Sequence, residues 1–313
     1  MAEWIVLFKE VGLPLYDRLK NPVKDFFFKP RKKVEATNWV ARLNNEFNGR
    51  VHVFGITPSL PTVRVVGPYA LTPTQKKLAQ ATRKQLARKL PNDPHAVLVK
   101  TPVWTDNPVT FEVQTLDFAE VTALRHEGLR PQVISAGAVI CCAERQEIVL
   151  HRRSETSVTY PGALHVIGGA YIPPGVNGRE ADRHNLLHTA RREVFEETRA
   201  SLAWEDQPAL LLAQELDTGF VQLVLLAVNV SAAQVAKLED SFEGSTTRVK
   251  FADLPHVLRT ENAKDPHTPD SGWVPTGKAH VLAWLALGAP GAGKMPKFGG
   301  HGPVELFDLF VRA

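Results

Sequence analysis

Cysteine is nearly missing from this chain: its 313 residues hold two, Cys141 and Cys142, side by side. Neighbouring side chains on a strand point to opposite faces, so the pair supplies neither a disulfide framework nor, by itself, a structural zinc site. Long apolar runs are missing as well. The longest spans about ten residues between Val221 and Val230, well short of the roughly 20 that a membrane-crossing helix needs. The opening string M-A-E-W-I-V-L-F-K-E has no basic flank and only a short apolar run, so no secretory signal is expected. Neither H-E-x-x-H nor G-x-S-x-G occurs, which removes zinc-protease and serine-hydrolase readings, and no internal repeat is visible. These absences together point to a reduced, cytoplasmic protein with no membrane attachment.

What is present is an ordinary globular composition, 44% hydrophobic and 22% charged, on a chain long enough for one large domain or two modest ones. The net charge of +4 is unevenly distributed. Residues 1–130 carry 20 Lys+Arg against 12 Asp+Glu, and residues 131–313 carry 17 against 21. The step near Pro131 predicts a basic α/β accessory region at 1–130 and a second domain at 131–287. A Gly/Pro-rich linker and C-terminal segment follow at 288–313, able to dock on the core or on a partner chain.

In the first region, Val34–Asn48 reads as a helix, and 51–56 and 63–66 read as strands. Thr72 is an expected N-cap, with Pro73 opening a helix to Leu90 that sets Leu78, Leu86 and Leu90 near one face. Lys76, Lys77, Arg83, Lys84, Arg88 and Lys89 load the other face, and F-F-F-K-P-R-K-K at 26–33 adds aromatics beside positive charge. A solvated helix face beside a packed Phe cluster is the simpler reading. Contact with a nucleic-acid backbone is the minor one.

Beyond Pro131, strands are expected at 133–140, 147–151 and 163–167, leading to Gly168-Gly169. A charged helix ending near Thr198 and strands at 210–216 and 219–228 follow, an order suited to helices stacked on a mixed sheet.

The chemistry concentrates in R-R-E-V-F-E-E-T at 191–198. On a helix, Glu193, Glu196 and Glu197 share one face, while Leu186, Leu187, Ala190 and Val194 form an opposing apolar stripe. Like charges at these spacings repel, and a hard divalent cation with oxygen ligands would offset the repulsion. The bland alternative is a solvated helix on which the acids pair with Arg191, Arg192 and Arg199.

The string R-E-V-F-E-E resembles the R-E-x-x-E-E core of the Nudix box, and would arise by chance on the order of 0.005 times in a chain of this composition. H-V-I-G-G at 165–169 resembles the entry to that box, and A-G-A-V-I at 136–140 resembles the family's opening strand. F-E-G at 242–244 and V-K-F-A-D-L at 249–254 resemble its acidic loop and closing strand, so the likeness spans about residues 131–260.

That resemblance implies a Nudix-like α/β/α sandwich with a mixed sheet, preceded by the smaller α/β N-terminal region. It implies Mg²⁺, with Mn²⁺ as an alternative, held by Glu193, Glu196 and Glu197. Glu193 would be a ligand or a general base, Arg192 would orient the acids, Glu243 would be the loop acid, and Gly168 and Gly169 would line the substrate. The implied activity is hydrolysis of a diphosphate linkage in a nucleoside diphosphate joined to another moiety. A small-molecule nucleotide would then be the partner, with a homo-oligomer left open. The alternative from a different class is a non-catalytic Nudix-fold nucleotide sensor.

Departures from the family pattern accompany the match. Gly169 to Arg192 is 23 positions where the family has 14, so the loop 170–185 carries nine extra residues. Counting back from Arg192 places Gly178 at the glycine position and His184 where a Glu is expected, with Glu180 and Asp182 the nearest acids. Gly169 as the structural glycine, with Glu180 as a weak stand-in, is preferred. Arg199 takes the place of the second glycine, at a helix end that favours left-handed backbone. The proline and tyrosine that mark ADP-ribose and dinucleoside-polyphosphate subfamilies are missing after the box.

Three further features are weighed and set aside. G-A-P-G-A-G-K-M at 288–295 satisfies G-x-x-x-x-G-K, yet Met295 replaces the Ser or Thr of a P-loop and a helix end precedes it. His165 is expected to be a packed residue rather than a ligand. Tyr160 and Tyr171 bracket the pocket, where core packing competes with stacking on a base.

Overall fold

The computed structural model describes residues 38–57, 59–86, 92–100, 102, 109–174, 186–199, 209–241 and 243–311. The basic string at 26–33, Arg88, Lys89, Gly178, Glu180, Asp182 and His184 lie outside the described residues.

The chain runs α1 (Asn38–Glu46), β1 (Val51–Thr57), β2 (Thr62–Pro68), α2 (Pro73–Gln85), β3 (Pro94–Leu98), β4 (Thr110–Asp117) and α3 (Phe118–His126). Then come β5 (Ile134–Cys142), β6 (Glu147–Arg153), β7 (Leu164–His165), β8 (Ile167–Ala170), α4 (Leu186–Thr198), β9 (Ala209–Glu215) and β10 (Val221–Asn229). The last elements are α5 (Ala232–Ala236), β11 (Gly244–Lys250), α6 (Leu254–Arg259), α7 (Pro275–Ala286) and α8 (Pro303–Phe310).

Local signals explain several boundaries. Thr72 caps α2 as expected: its hydroxyl accepts from Gln75 N–H at 3.3 Å, while the Gln75 side chain accepts from Thr72 N–H at 2.9 Å. Asp117 and Glu120 build the same reciprocal box at the start of α3. Every residue of β5 is buried, the pattern of a central strand covered on both faces.

The large sheet has the order β1-β9-β10-β5-β6-β11, with β8 pairing β5 and β7 pairing β6. β10 runs parallel to β5 and its other neighbours are antiparallel, so the sheet is mixed. On one face, Ile148, Leu150, Leu211 and Val224 pack with Trp284 of α7 and Phe307 of α8. On the other, Ala136, Ala138, Leu212 and Leu223 pack with Leu186, Ala190 and Val194 of α4. This is the expected α/β/α sandwich.

The boundaries expected at 130 and 288 do not separate cores. β1 pairs with β9 from Val51↔Glu215 to Thr57↔Leu210, and Leu98 N–H donates to the Gln132 carbonyl at 2.9 Å. Phe111 and Val113 of β4 join the same apolar cluster as Ala136 and Val194. Trp39–Ala313 accordingly forms one compact unit. The physical reason is that the charge step counts surface side chains, whereas layers are built from apolar ones. The Gly-rich C-terminal stretch is docked likewise: Phe298, Leu306 and Phe307 are buried, and Trp284 Nε1 donates to the Pro290 carbonyl at 2.9 Å. Among the described residues no helix is long and apolar enough to cross a membrane.

Candidate active site

The apolar stripe of α4 seats the helix on the sheet beside β8, and this sets the depth of its acids. Glu193 and Glu197, one turn apart, are both buried, at 5% and 2% exposure, while the Glu196 side chain is 39% exposed. The close approach requires glycine in β8. A Cβ at Gly169 would stand 2.3 Å from Glu193 Oε2, and one at Gly168 would stand 2.6 Å from the Cα of Gly137 in β5. Gly168 N–H donates to Glu197 Oε2 at 3.2 Å.

Glu243 arrives from the short turn before β11. Its N–H donates to Ser241 Oγ at 3.2 Å and its carbonyl accepts from Ser154 N–H at 2.7 Å, anchoring the turn to the end of β6. Ligand atoms of Glu193, Glu197 and Glu243 lie within 4.8 Å of one another. The structure thus brings together two of the three helix acids expected as ligands, plus the loop acid. Glu196 stands outside this group, partly exposed and paired with Arg192. Arg192 Nη1 reaches Glu193 Oε1 at 2.7 Å and Glu196 Oε2 at 2.9 Å, and Nη2 donates to the Ala170 carbonyl at 2.7 Å.

Crowding raises the proton affinity of the cluster. Burial pushes Glu193 up to about 8 against the opposing charge of Arg192, with Glu243 and Glu196 adding to the rise. Glu197 lies well above the usual carboxylate range, through burial and then the charges of Glu193 and Glu243. Burial raises Glu243 too, opposed chiefly by Arg153. Two buried carboxylates and the half-buried Glu243, with too little compensating charge, form a hard-oxygen cradle that fits a divalent cation such as Mg²⁺ or Mn²⁺.

Other expectations divide. Tyr160 and Tyr171 are both core residues, at 2% and 0% exposure. His165 is packed, with its ring edge-on to His280 at 6.4 Å between centroids. Gly288–Met295 follows helix α7 rather than a strand, and Met295 is 85% exposed, so no P-loop is formed. Arg199 adopts φ +58°, so the left-handed exit is kept and, on a residue with a Cβ, carries strain, one of the two outcomes expected for an exit turn without its glycine. In α2, Lys76, Lys77 and Lys84 are exposed, whereas Arg83 pairs with Asp117.

Two residues not singled out from the sequence flank the cluster. His151 Nε2 is 3.9 Å from Glu197 Oε1, but burial pushes His151 down to about 4, so it is neutral near pH 7 and the contact is no ion pair. Arg153 closes β6 beside Glu243. The only signal for either was the polar H-R-R ending an otherwise apolar strand.

No family model and no curated protein sequence matches this chain. Among solved structures it is similar to a MutT protein from Methanosarcina mazei Go1, with 25% identity, 45% of this chain and 86% of that one covered, and a TM-score of 0.33. It is also similar to the NUDIX domain of Shewanella oneidensis NrtR complexed with ADP ribose, at 18% identity, 42% and 80% coverage and a TM-score of 0.29. A third is the bifunctional NMN adenylyltransferase/ADP ribose pyrophosphatase of Francisella tularensis complexed with AMP and Mn ion, at 12% identity, 42% and 38% coverage and a TM-score of 0.28. At such TM-scores the likenesses carry no argument about activity, which rests on the cluster's own geometry.

Proposed function

We propose that this protein is a Nudix-type pyrophosphohydrolase that uses Mg²⁺ or Mn²⁺ to cleave a diphosphate linkage in a nucleoside diphosphate joined to another group. The observation that carries this reading is the convergence of Glu193, Glu197 and Glu243 within 4.8 Å, on the R-E-x-x-E-E helix and the acidic turn. These three carboxylates would hold the cation. When bound, it supplies Lewis-acid polarisation of a phosphate oxygen and lowers the pKa of water.

The chain's own residues divide the remaining tasks. Arg192 fixes Glu193 and ties α4 to β8, and Gly168 N–H fixes Glu197. The Glu243 carboxylate accepts no hydrogen bond and forms no ion pair among the described residues, so one oxygen can serve the cation while the other stays open to a water. That suits it to take the proton as a water oxygen bonds to phosphorus and the bridging P–O bond breaks, one phosphate leaving with the bond's electrons. Gly168 and Gly169, expected to line the substrate, instead let β8 lie close against β5 and the Glu193 carboxylate, which fill the space over them. Glu196, at the rim, tunes the field without entering the cradle.

The test is phosphate release from a panel of nucleoside-diphosphate derivatives with Mg²⁺ or Mn²⁺. ADP-ribose, the ligand named for the Shewanella domain, belongs in the panel. Turnover by wild type and its loss in Glu197→Gln are expected; equal rates in both would remove the assignment. Calorimetric binding without turnover would instead mark a nucleotide sensor.

A further inference from the structure

Arg153 ends β6 on the stretch that pairs with the start of β11, next to the acidic turn. It is the strand partner of Gly244, next to Glu243, and the neighbouring Ser154 N–H donates to the Glu243 carbonyl at 2.7 Å. Arg152, pointing to the other side, is committed to main chain through Nη1 to the Gly162 carbonyl at 2.8 Å. Arg153 instead uses Nε on the Thr159 carbonyl at 2.8 Å and Nη2 on Thr159 Oγ1 at 3.4 Å. No carboxylate of the described residues lies within ion-pair distance of it. Its charge is nonetheless felt by Glu197 and Glu243, whose proton affinities it lowers. A guanidinium near enough to Glu197 and Glu243 to lower their proton affinities, yet beyond ion-pairing distance of either, would suit a phosphate held between it and those carboxylates.

The aim of Arg153 depends on Thr159, and Thr159 is held by Tyr160. Tyr160 has φ +49°, costly for a bulky residue, and is pinned at both ends. Its N–H donates to the Pro266 carbonyl at 2.6 Å and its hydroxyl to Asp217 Oδ2 at 3.1 Å. Asp217 is gripped in turn by Arg50 Nε and Nη2 at 2.9 and 2.7 Å.

We propose that Arg153 binds a phosphate group of the substrate, and that Tyr160 is a positioning residue acting on it through Thr159. This rests on the pyrophosphohydrolase reading and adds the residue that recognises the phosphate. The probe is methylenediphosphonate, a diphosphate that cannot be hydrolysed at its bridge, titrated by calorimetry into the full chain with and without Mn²⁺. Mn²⁺ alone is titrated in parallel. Arg153→Met is expected to weaken bisphosphonate binding about tenfold or more while leaving Mn²⁺ affinity within roughly twofold. Arg153→Lys, keeping the charge without the fork, should fall between, and Tyr160→Phe should lose about threefold with Mn²⁺ binding intact.

Bisphosphonate binding by both Arg153 variants at wild-type strength would overturn the proposal, as would a wild type that takes up Mn²⁺ and ignores the bisphosphonate. Should Arg153→Met fail to melt cooperatively, Arg153→Lys and Tyr160→Phe carry the comparison. Failure of wild type to bind Mn²⁺ would instead sink the metal reading, and the titration without metal would then decide on Arg153 alone.

Discussion

A Cβ placed on Gly169 would stand 2.3 Å from Glu193 Oε2, so the glycine leaves the space in which that carboxylate lies. The atom it would displace is the far end of a flexible side chain. Gly169→Ala should therefore cost little stability, about 1 kcal/mol or less, while pushing Glu193 out of the cluster and reducing Mn²⁺ affinity about tenfold. Gly168→Ala meets backbone instead, at Gly137 Cα and the Ala136 carbonyl, and should cost about 3 kcal/mol. Urea unfolding and Mn²⁺ titration of the two variants separate these outcomes.

Glu196 and Glu197 are adjacent in sequence and different in setting, one 39% exposed on its side chain and the other buried in the cluster. Wild type should be stabilised by Mn²⁺, by about 2.7 kcal/mol at a hundred times Kd. Glu197→Gln should be more stable than wild type without metal, because one repelling carboxylate is gone, and should gain nothing from Mn²⁺. Glu196→Gln should keep most of the metal effect. Thermal melts across a Mn²⁺ series would contradict this if both variants lost it equally.

Arg192 spans Glu193, Glu196 and the Ala170 carbonyl with one planar fork. Lysine preserves the charge but cannot reach all three acceptors. Arg192→Lys should lower kcat about tenfold, roughly 1.4 kcal/mol of barrier, with a smaller change in KM. Steady-state kinetics on whichever diphosphate proves to be the substrate gives the answer.

His280 is fully buried and neither ring nitrogen has a partner among the described residues. Burial pushes its pKa from 6.5 down to about 3. Between those values the unfolded chain binds a proton that the folded chain refuses. Its contribution is thus fully present above pH 6.5 and is lost as pH falls toward 3, by up to about 1.4 kcal/mol per pH unit. His280→Leu should equal or exceed wild type at pH 7 and gain on it by about 2 kcal/mol at pH 5. An unchanged difference in urea midpoint between the two pH values would refute it.

Phe307 is 1% exposed, packs in the core with Trp284 and Phe298, and carries the Arg42 guanidinium 4.7 Å above its ring. Phe307→Ala should cost about 3 kcal/mol, measured by urea unfolding. A cost near zero would return the C-terminal segment to the status of a loose tail.

Features with a local cause were legible before any fold was known. The Thr72 cap, the strand at β5 and the acidic face of α4 each follow from residues within a few positions of one another. Their physics is periodicity, capping and backbone sterics, all short in range. The division at residue 130 misled because surface charge does not report which strands pair. Val51 meets Glu215 across 164 positions, and no local pattern encodes that register.

The sequence by itself determined that acids would line one side of a helix entered through two glycines. Only the tertiary structure decided which of them share a site. Helical spacing treats Glu196 and Glu197 almost alike, but the packing depth of α4 and the reach of Arg192 leave one at the rim and one buried. Glu243 joins them, with Arg153 close by, because β6 pairs with β11 and β11 lies against α4. A cation cradle needs oxygens within a few ångströms of one another, and that distance belongs to strand pairing and packing rather than to neighbours in the chain.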